Sequence, residues 1–207
     1  MSPLTIQNRE NSNTFHLLSP NKTGVDFVSR VDEWEASQNR VLYNGAGVAV
    51  GDYDRDGWPD IFLCAIDGNP ALYKNKGDWG FIDVTYTTGL KEMGRRHRGA
   101  VFADLNGDNW LDLLVGTVDR GIRTYINRSG VFNEMSETSG LAGVYAPMTM
   151  ALADVDSNGT LDLYVTNNRS SDIRDEGSIT LRRVGGKLVI PAQYRNCLLY
   201  TSDAADE

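Results

Sequence analysis

Ten of the 28 Asp and Glu residues in this 207-residue chain fall in three short loops, where oxygen-bearing side chains stand on alternate positions. The first loop places Asp52, Asp54, Asp56 and Asp60 around Gly57. The second places Asp104, Asn106, Asp108 and Asp112 around Asn109, and the third Asp154, Asp156, Asn158 and Asp162 around Gly159. Hard oxygen ligands on alternate residues of a tight turn converge on one cation, and six or more oxygens in flexible geometry suit Ca²⁺. Positions one, three, five and nine supply side chains, and position seven can add a backbone carbonyl from Trp58, Trp110 or Thr160. The sixth residue must reverse the chain at positive φ, and Gly and Asn tolerate that. The expectation is about three Ca²⁺ ions, one per loop, with the four-aspartate first loop binding tightest, tempered by Arg55 within it. Mg²⁺ suits the loops less, because it demands a stiffer octahedron and keeps its waters.

An EF-hand and a plain turn both fit the motif less well. An EF-hand places a bidentate Glu at position twelve between helices, but position twelve here is Leu63, Val115 or Val165, inside strand-like runs. Plain Asx-Gly hairpin turns could account for one loop, yet three loops in register each concentrate carboxylates that repel one another without a cation.

The loops recur within a longer repeat. Asp52, Asp104 and Asp154 are 52 and 50 residues apart, a period that points to propeller blades or a similar array. The nonapeptide β-roll repeat is far shorter. Between the loops, Leu72 to Gly77, Phe81 and Thr88 to Leu90 echo Thr124 to Gly130, Phe132 and Ser139 to Leu141. Each unit therefore resolves into four short strands, one before the loop, one after it, and a hairpin around a Gly turn. The strand after the loop, as in Leu111 to Val115, is apolar on both faces, which fits a blade sandwiched between neighbours. The predicted fold is all-β: a partial β-propeller of about three four-stranded blades, at about 46–95, 96–145 and 146–196, after a polar segment 1–23. Gly24 to Val28 is a candidate strand of a further blade. Beyond the third loop, Ser178 to Arg183 and Lys187 to Ile190 form a predicted hairpin around Gly185-Gly186 in a modified third blade.

Composition excludes several functions. A formal charge of −8 disfavours nucleic acid and suits divalent cations, and no apolar run approaches the ~20 residues of a membrane helix. The ending Cys197 to Glu207 resembles the conceptual translation of a sequencing-library adapter, so 197–207 are set apart from the fold and the natural chain is expected to continue past Asn196. Without Asp203, Asp206 and Glu207 the charge is −5, and three Ca²⁺ would bring it to +1. No export signal is visible in residues 1–22. No disulfide is expected: Cys64 ends a strand-like run as a small buried hydrophobe. Arg95-Arg96-His97-Arg98 is expected as a solvated connector on the rim, and Trp58 and Trp110 as packing beside the loops. Asn21, Asn127, Asn158 and Asn168 each open a glycosylation sequon. No Cys/His metal spacing or Gly-x-Ser-x-Gly nucleophile pattern occurs.

A Gly-x-x-x-Gly/Ala-Asp lead-in followed by Asp-x-Asp-x-Asp-Gly-x-x-Asp, running through roughly 24–190, resembles the FG-GAP/VCBS repeats of integrin α-subunit propellers and bacterial surface proteins. The run from Asp162 past Asn167 is similar to the bacterial subgroup whose propellers precede an ASPIC/UnbV domain. The resemblance implies a parent propeller of about seven blades, extracellular or cell-surface placement, and structural Ca²⁺ in the blade loops. Asn109 departs from the usual Gly. The expected function is a non-catalytic module that binds a protein or glycan and packs against the remaining blades of the full-length chain. The alternative is the scaffold of a secreted carbohydrate-active enzyme, which would need an acid, base or nucleophile set that these residues do not assemble.

Overall fold

The computed structural model describes residues 15–38, 40–143, 146–167, 182–184 and 187–189. They form two complete four-stranded antiparallel blades and the first half of a third. In blade one, β1 (Val48–Gly51), β2 (Asp60–Leu63), β3 (Ala71–Asn75) and β4 (Phe81–Asp83) lie in sequence order. Blade two repeats this with β5 (His97–Ala103), β6 (Asp112–Thr117), β7 (Gly121–Arg128) and β8 (Val131–Glu134). In the third unit, β9 (Pro147–Ala153) pairs with β10 (Asp162–Asn167). The register repeats along with the sequence: Gly51 faces Asp60, Ala103 faces Asp112, and Ala153 faces Asp162. Each acidic loop thus closes the same hairpin.

The core lies between blades. Ala49, Tyr53, Phe62, Cys64 and Leu72 of blade one pack with Leu113, Val115, Tyr125 and Phe132 of blade two. Phe62, Leu72 and Leu113 are fully buried, which is worth about 1.5–3 kcal/mol for each side chain. All six residues of β6 are buried, as its two apolar faces require. Cys64 is a free, buried thiol whose pKa burial pushes up to about 12.

Glycine sets the spacing of the innermost strands. A Cβ on Gly47 would sit 2.7 Å from the Arg98 carbonyl oxygen, and one on Gly99 would sit 2.9 Å from the Met148 carbonyl oxygen. The first strand of each blade therefore approaches the next backbone to backbone, and the Gly47 N–H donates to the Arg98 carbonyl.

Three expectations are corrected. Gly24 to Val28 forms no strand; Val25 and Phe27 instead pack onto Ala71, Tyr73 and Phe81 of blade one. Short helices precede the first blade, α1 (Pro20–Thr23) and α2 (Glu33–Gln38), with Asp32 accepting the Glu35 N–H at the start of α2. Arg95 to Arg98 is not a solvated connector. Arg95 and Arg96 pair with Glu35 at 2.9 and 3.1 Å, tying α2 to blade two, while His97 and Arg98 are buried. Arg98 donates to the Val41 carbonyl at 2.8 Å. His97 and Arg98 are interior because β5 begins at His97, beneath the segment that supplies Val41. The predicted hairpin does pair, β11 (Arg182–Val184) with β12 (Lys187–Val189), but as a two-stranded sheet separate from β9 and β10. Residues 178–181, 190 and the adapter-like ending lie outside the described residues. No described helix is long and apolar enough to cross a membrane.

Candidate metal centres

All three loops share one internal hydrogen-bond scaffold, which their sequence pattern dictates. The first aspartate accepts two backbone N–H groups from the far side of the turn. Asp52 takes those of Asp56 and Gly57 at 3.1 and 2.8 Å, and Asp154 those of Asn158 and Gly159, both at 3.0 Å. Asp104 takes those of Asp108 and Asn109 at 3.1 and 2.9 Å, with Gly107 as a third donor. The fifth side chain accepts the N–H of position seven: Asp56 from Trp58, Asp108 from Trp110, Asn158 from Thr160. The sixth residue has positive φ in every loop, 90° at Gly57, 66° at Asn109 and 88° at Gly159. Asn109 therefore adopts the conformation its Gly counterparts adopt, as Asn can.

Position four also has positive φ, at Arg55, Gly107 and Ser157. Sequence reading missed this second reversal; Gly107 was the signal. It turns Arg55 outward, so that its guanidinium lies over the Trp110 ring of the next loop, 5.5 Å from the centroid. Among the described residues Arg55 forms no ion pair with loop one; Lys74, on β3, does, its ammonium pairing with Asp54 and, at 2.8 Å, with Asp56. It holds the Asp56 carboxyl below its usual range.

The ninth aspartate does different work. Asp60 accepts from the Tyr53 N–H at 3.1 Å and the Asn75 N–H at 2.8 Å; Asp112 accepts from Leu105 and Asn127 at 2.9 and 2.8 Å. Both are fully buried, and burial pushes Asp60 up to about 6 and Asp112 in the same direction. Each thus joins its loop to the third strand of its blade. Asn75 and Asn127 complete that joint, a role sequence reading gave to neither, although they recur at one repeat position. Asn127 Nδ2 donates to the Leu111 carbonyl at 2.9 Å and across the blade boundary to the Tyr53 carbonyl at 2.8 Å. So placed, with no exposed surface, Asn127 cannot act as a glycosylation acceptor.

The side chains fit a cation. Oxygens of Asp52, Asp54 and Asp60 gather within 4.8 Å of one another, as do those of Asp154, Asp156 and Asp162. In loop two the third position is Asn106, whose Oδ1 accepts the Asp108 N–H. Asp54 Oδ1 is buried without any hydrogen-bond partner, the condition of an oxygen shaped for a ligand other than a protein donor. The oxygens of Asp52, Asp60 and Asp154 each keep a lone pair after accepting one N–H.

The model of the FG-GAP-like repeat matches residues 52–115 and again 104–165, each match running from one acidic loop through the strand after the next. Among curated proteins, the chain is 29% identical over 126 residues to Cartilage acidic protein 1 of Xenopus tropicalis, covering 59% of this chain and 20% of that protein. The Homo sapiens protein of the same name is 28% identical over 150 residues, covering 70% of this chain and 23% of its own length. The chain thus spans about a fifth of the length of the curated relatives it matches.

Proposed function

The chain belongs to the FG-GAP-like repeat family, and on that premise we propose that it is a calcium-stabilised propeller module that binds a protein or glycan outside the cell. The observation that carries the metal is the pair of converging carboxylate triads, one of which holds the unpartnered buried oxygen of Asp54. Ca²⁺ supplies no chemistry to a substrate in this reading. It neutralises carboxylates that the turn has already ordered, and so stiffens the hairpin on which each blade is built. The residues that would hold it are Asp52, Asp54, Asp56 and Asp60 in loop one, Asp104, Asn106, Asp108 and Asp112 in loop two, and Asp154, Asp156, Asn158 and Asp162 in loop three, with the carbonyls of Trp58, Trp110 and Thr160 as further ligands.

A binding role, without catalysis, is supported by how the acids are used. The candidate ligand carboxylates accept N–H groups of their own loops or pair with Lys74, which suits rigidity more than proton transfer. Extracellular placement is supported by relatives named for cartilage. The test is a calorimetric titration of Ca²⁺ together with thermal unfolding. Heat of binding at up to three sites, with melting raised in the parent and unmoved in an Asp52→Ala, Asp104→Ala, Asp154→Ala variant, is the expected result. A folded sample with no calcium heat and no shift would end the proposal.

A further inference from the structure

We infer that Lys74 is a built-in competitor for the cation of the first loop, which makes the loop richest in carboxylates the weakest of the three calcium sites. The inference rests on the calcium reading above and adds a ranking to it. The ammonium reaches loop one from outside, on β3, and contacts two carboxylates at once, Asp54 and Asp56. With side-chain exposures of 28% for Lys74 and 18% for Asp54, the pair is partly withdrawn from water, where charge-assisted contacts are stronger than on an open surface. Asp54 keeps one oxygen on the ammonium while its other, Oδ1, is buried and unpartnered. Loop one is therefore half satisfied by a fixed positive charge.

The repeat provides the control. Asn75 and Asn127 occupy one repeat position, donating their N–H groups to Asp60 and Asp112 respectively, so the residue before each is also equivalent: Lys74 in blade one, Ile126 in blade two. Among the described residues no ion pair reaches Asp104, Asp108 or Asp112, nor Asp154, Asp156 or Asp162. Loops two and three thus meet a divalent ion with uncompensated carboxylates, whereas loop one must first release a cation. Lys is suited to such release: its ammonium is a compact, well-hydrated charge on a flexible stem, able to swing into solvent. The same ammonium offsets part of the carboxylate repulsion in loop one when calcium is scarce, a compensation that loops two and three lack among the described residues.

The experiment uses the full chain with loop one isolated by Asp104→Ala and Asp154→Ala, compared with the same background carrying Lys74→Ile, the blade-two residue, or Lys74→Met, which keeps the stem. Ca²⁺ affinity is read by calorimetry and fold by circular dichroism. Both Lys74 variants are expected to bind Ca²⁺ at loop one about tenfold or more tightly, the worth of a charge-assisted contact removed from the competition. Their melting in chelator should fall and recover with Ca²⁺. Unchanged affinity in a folded Lys74→Met variant overturns the inference and leaves the calcium reading intact, as does a first loop that is already the tightest site in the parent. Absence of Ca²⁺ binding at every loop of the parent overturns both.

Discussion

Loops one and two on one side, and loop three on the other, carry the same motif in different surroundings. In the first two, the ninth aspartate is fully buried and accepts two backbone N–H groups, one from its own loop and one from the third strand of its blade. In the third, Asp162 is half-buried and accepts from Val155 alone among the described residues, and Val155 is itself exposed where Tyr53 is buried. One motif is thus a structural rivet where a blade is complete and flanked, and an open acidic turn where it is not. Its free energy comes from the neighbouring strands as much as from the loop.

That contrast can be broken most directly at the rivets. Asp112→Ala leaves the N–H groups of Leu105 and Asn127 unpaired, the second of them buried, and should cost about 2–4 kcal/mol in chemical denaturation; Asp162→Ala should cost less than about 1 kcal/mol. Equal losses would show that burial does not set the role of the ninth residue. Next in size, Gly47→Ala drives a methyl against the Arg98 carbonyl and should cost about 1–3 kcal/mol, whereas Thr149→Ala at the equivalent place in the third unit should be near neutral. Calcium should invert the ranking of the loops: at a hundred times the dissociation constant it adds about 2.7 kcal/mol per site, and Asp154→Ala should lose more of that gain than Asp52→Ala, whose loop Lys74 already serves.

The smallest expected effect is a pH dependence contributed by the seam between the complete blades. His97 is buried with ring nitrogens 3.2 Å from the Ala65 and Met93 carbonyls, and burial holds its pKa below the ordinary value. The unfolded chain then takes up the proton first, so this contribution is complete above about pH 6.5 and is lost as pH falls below it. Melting followed from pH 7.5 to 5.5 should show a slope that flattens in His97→Gln. An unchanged slope would assign it to other groups.

The exposed apolar face of blade one follows the same logic. Val48, Val50 and Trp58 are exposed where their blade-two equivalents Ala100, Phe102 and Trp110 are half-buried against blade one. A further blade offering the face that Ala49, Phe62 and Leu72 present to blade two would cover them.

Amino-acid order alone determined the period, the strand pairs around each loop, the ligand spacing and the positive φ at Gly57, Asn109 and Gly159. Apart from the period, which shows as a recurrence along the chain, these are set within about a dozen residues, where side-chain chemistry and backbone sterics act directly. Tertiary structure decided the rest. Lys74 meets Asp54 across 20 positions, Arg98 meets Val41 across 57, and Asn127 meets Tyr53 across 74. Nothing local marks a Lys as a counter-ion, an Arg-His-Arg run as interior, or an Asn as a bolt between blades, because each owes its role to a distant partner: another strand of the same blade for Lys74, the segment before the first blade for Arg98, and the neighbouring blade for Asn127. A third strand in the same blade turns one acidic motif into a buried joint at Asp60 and Asp112, whereas Asp162 is left half-buried.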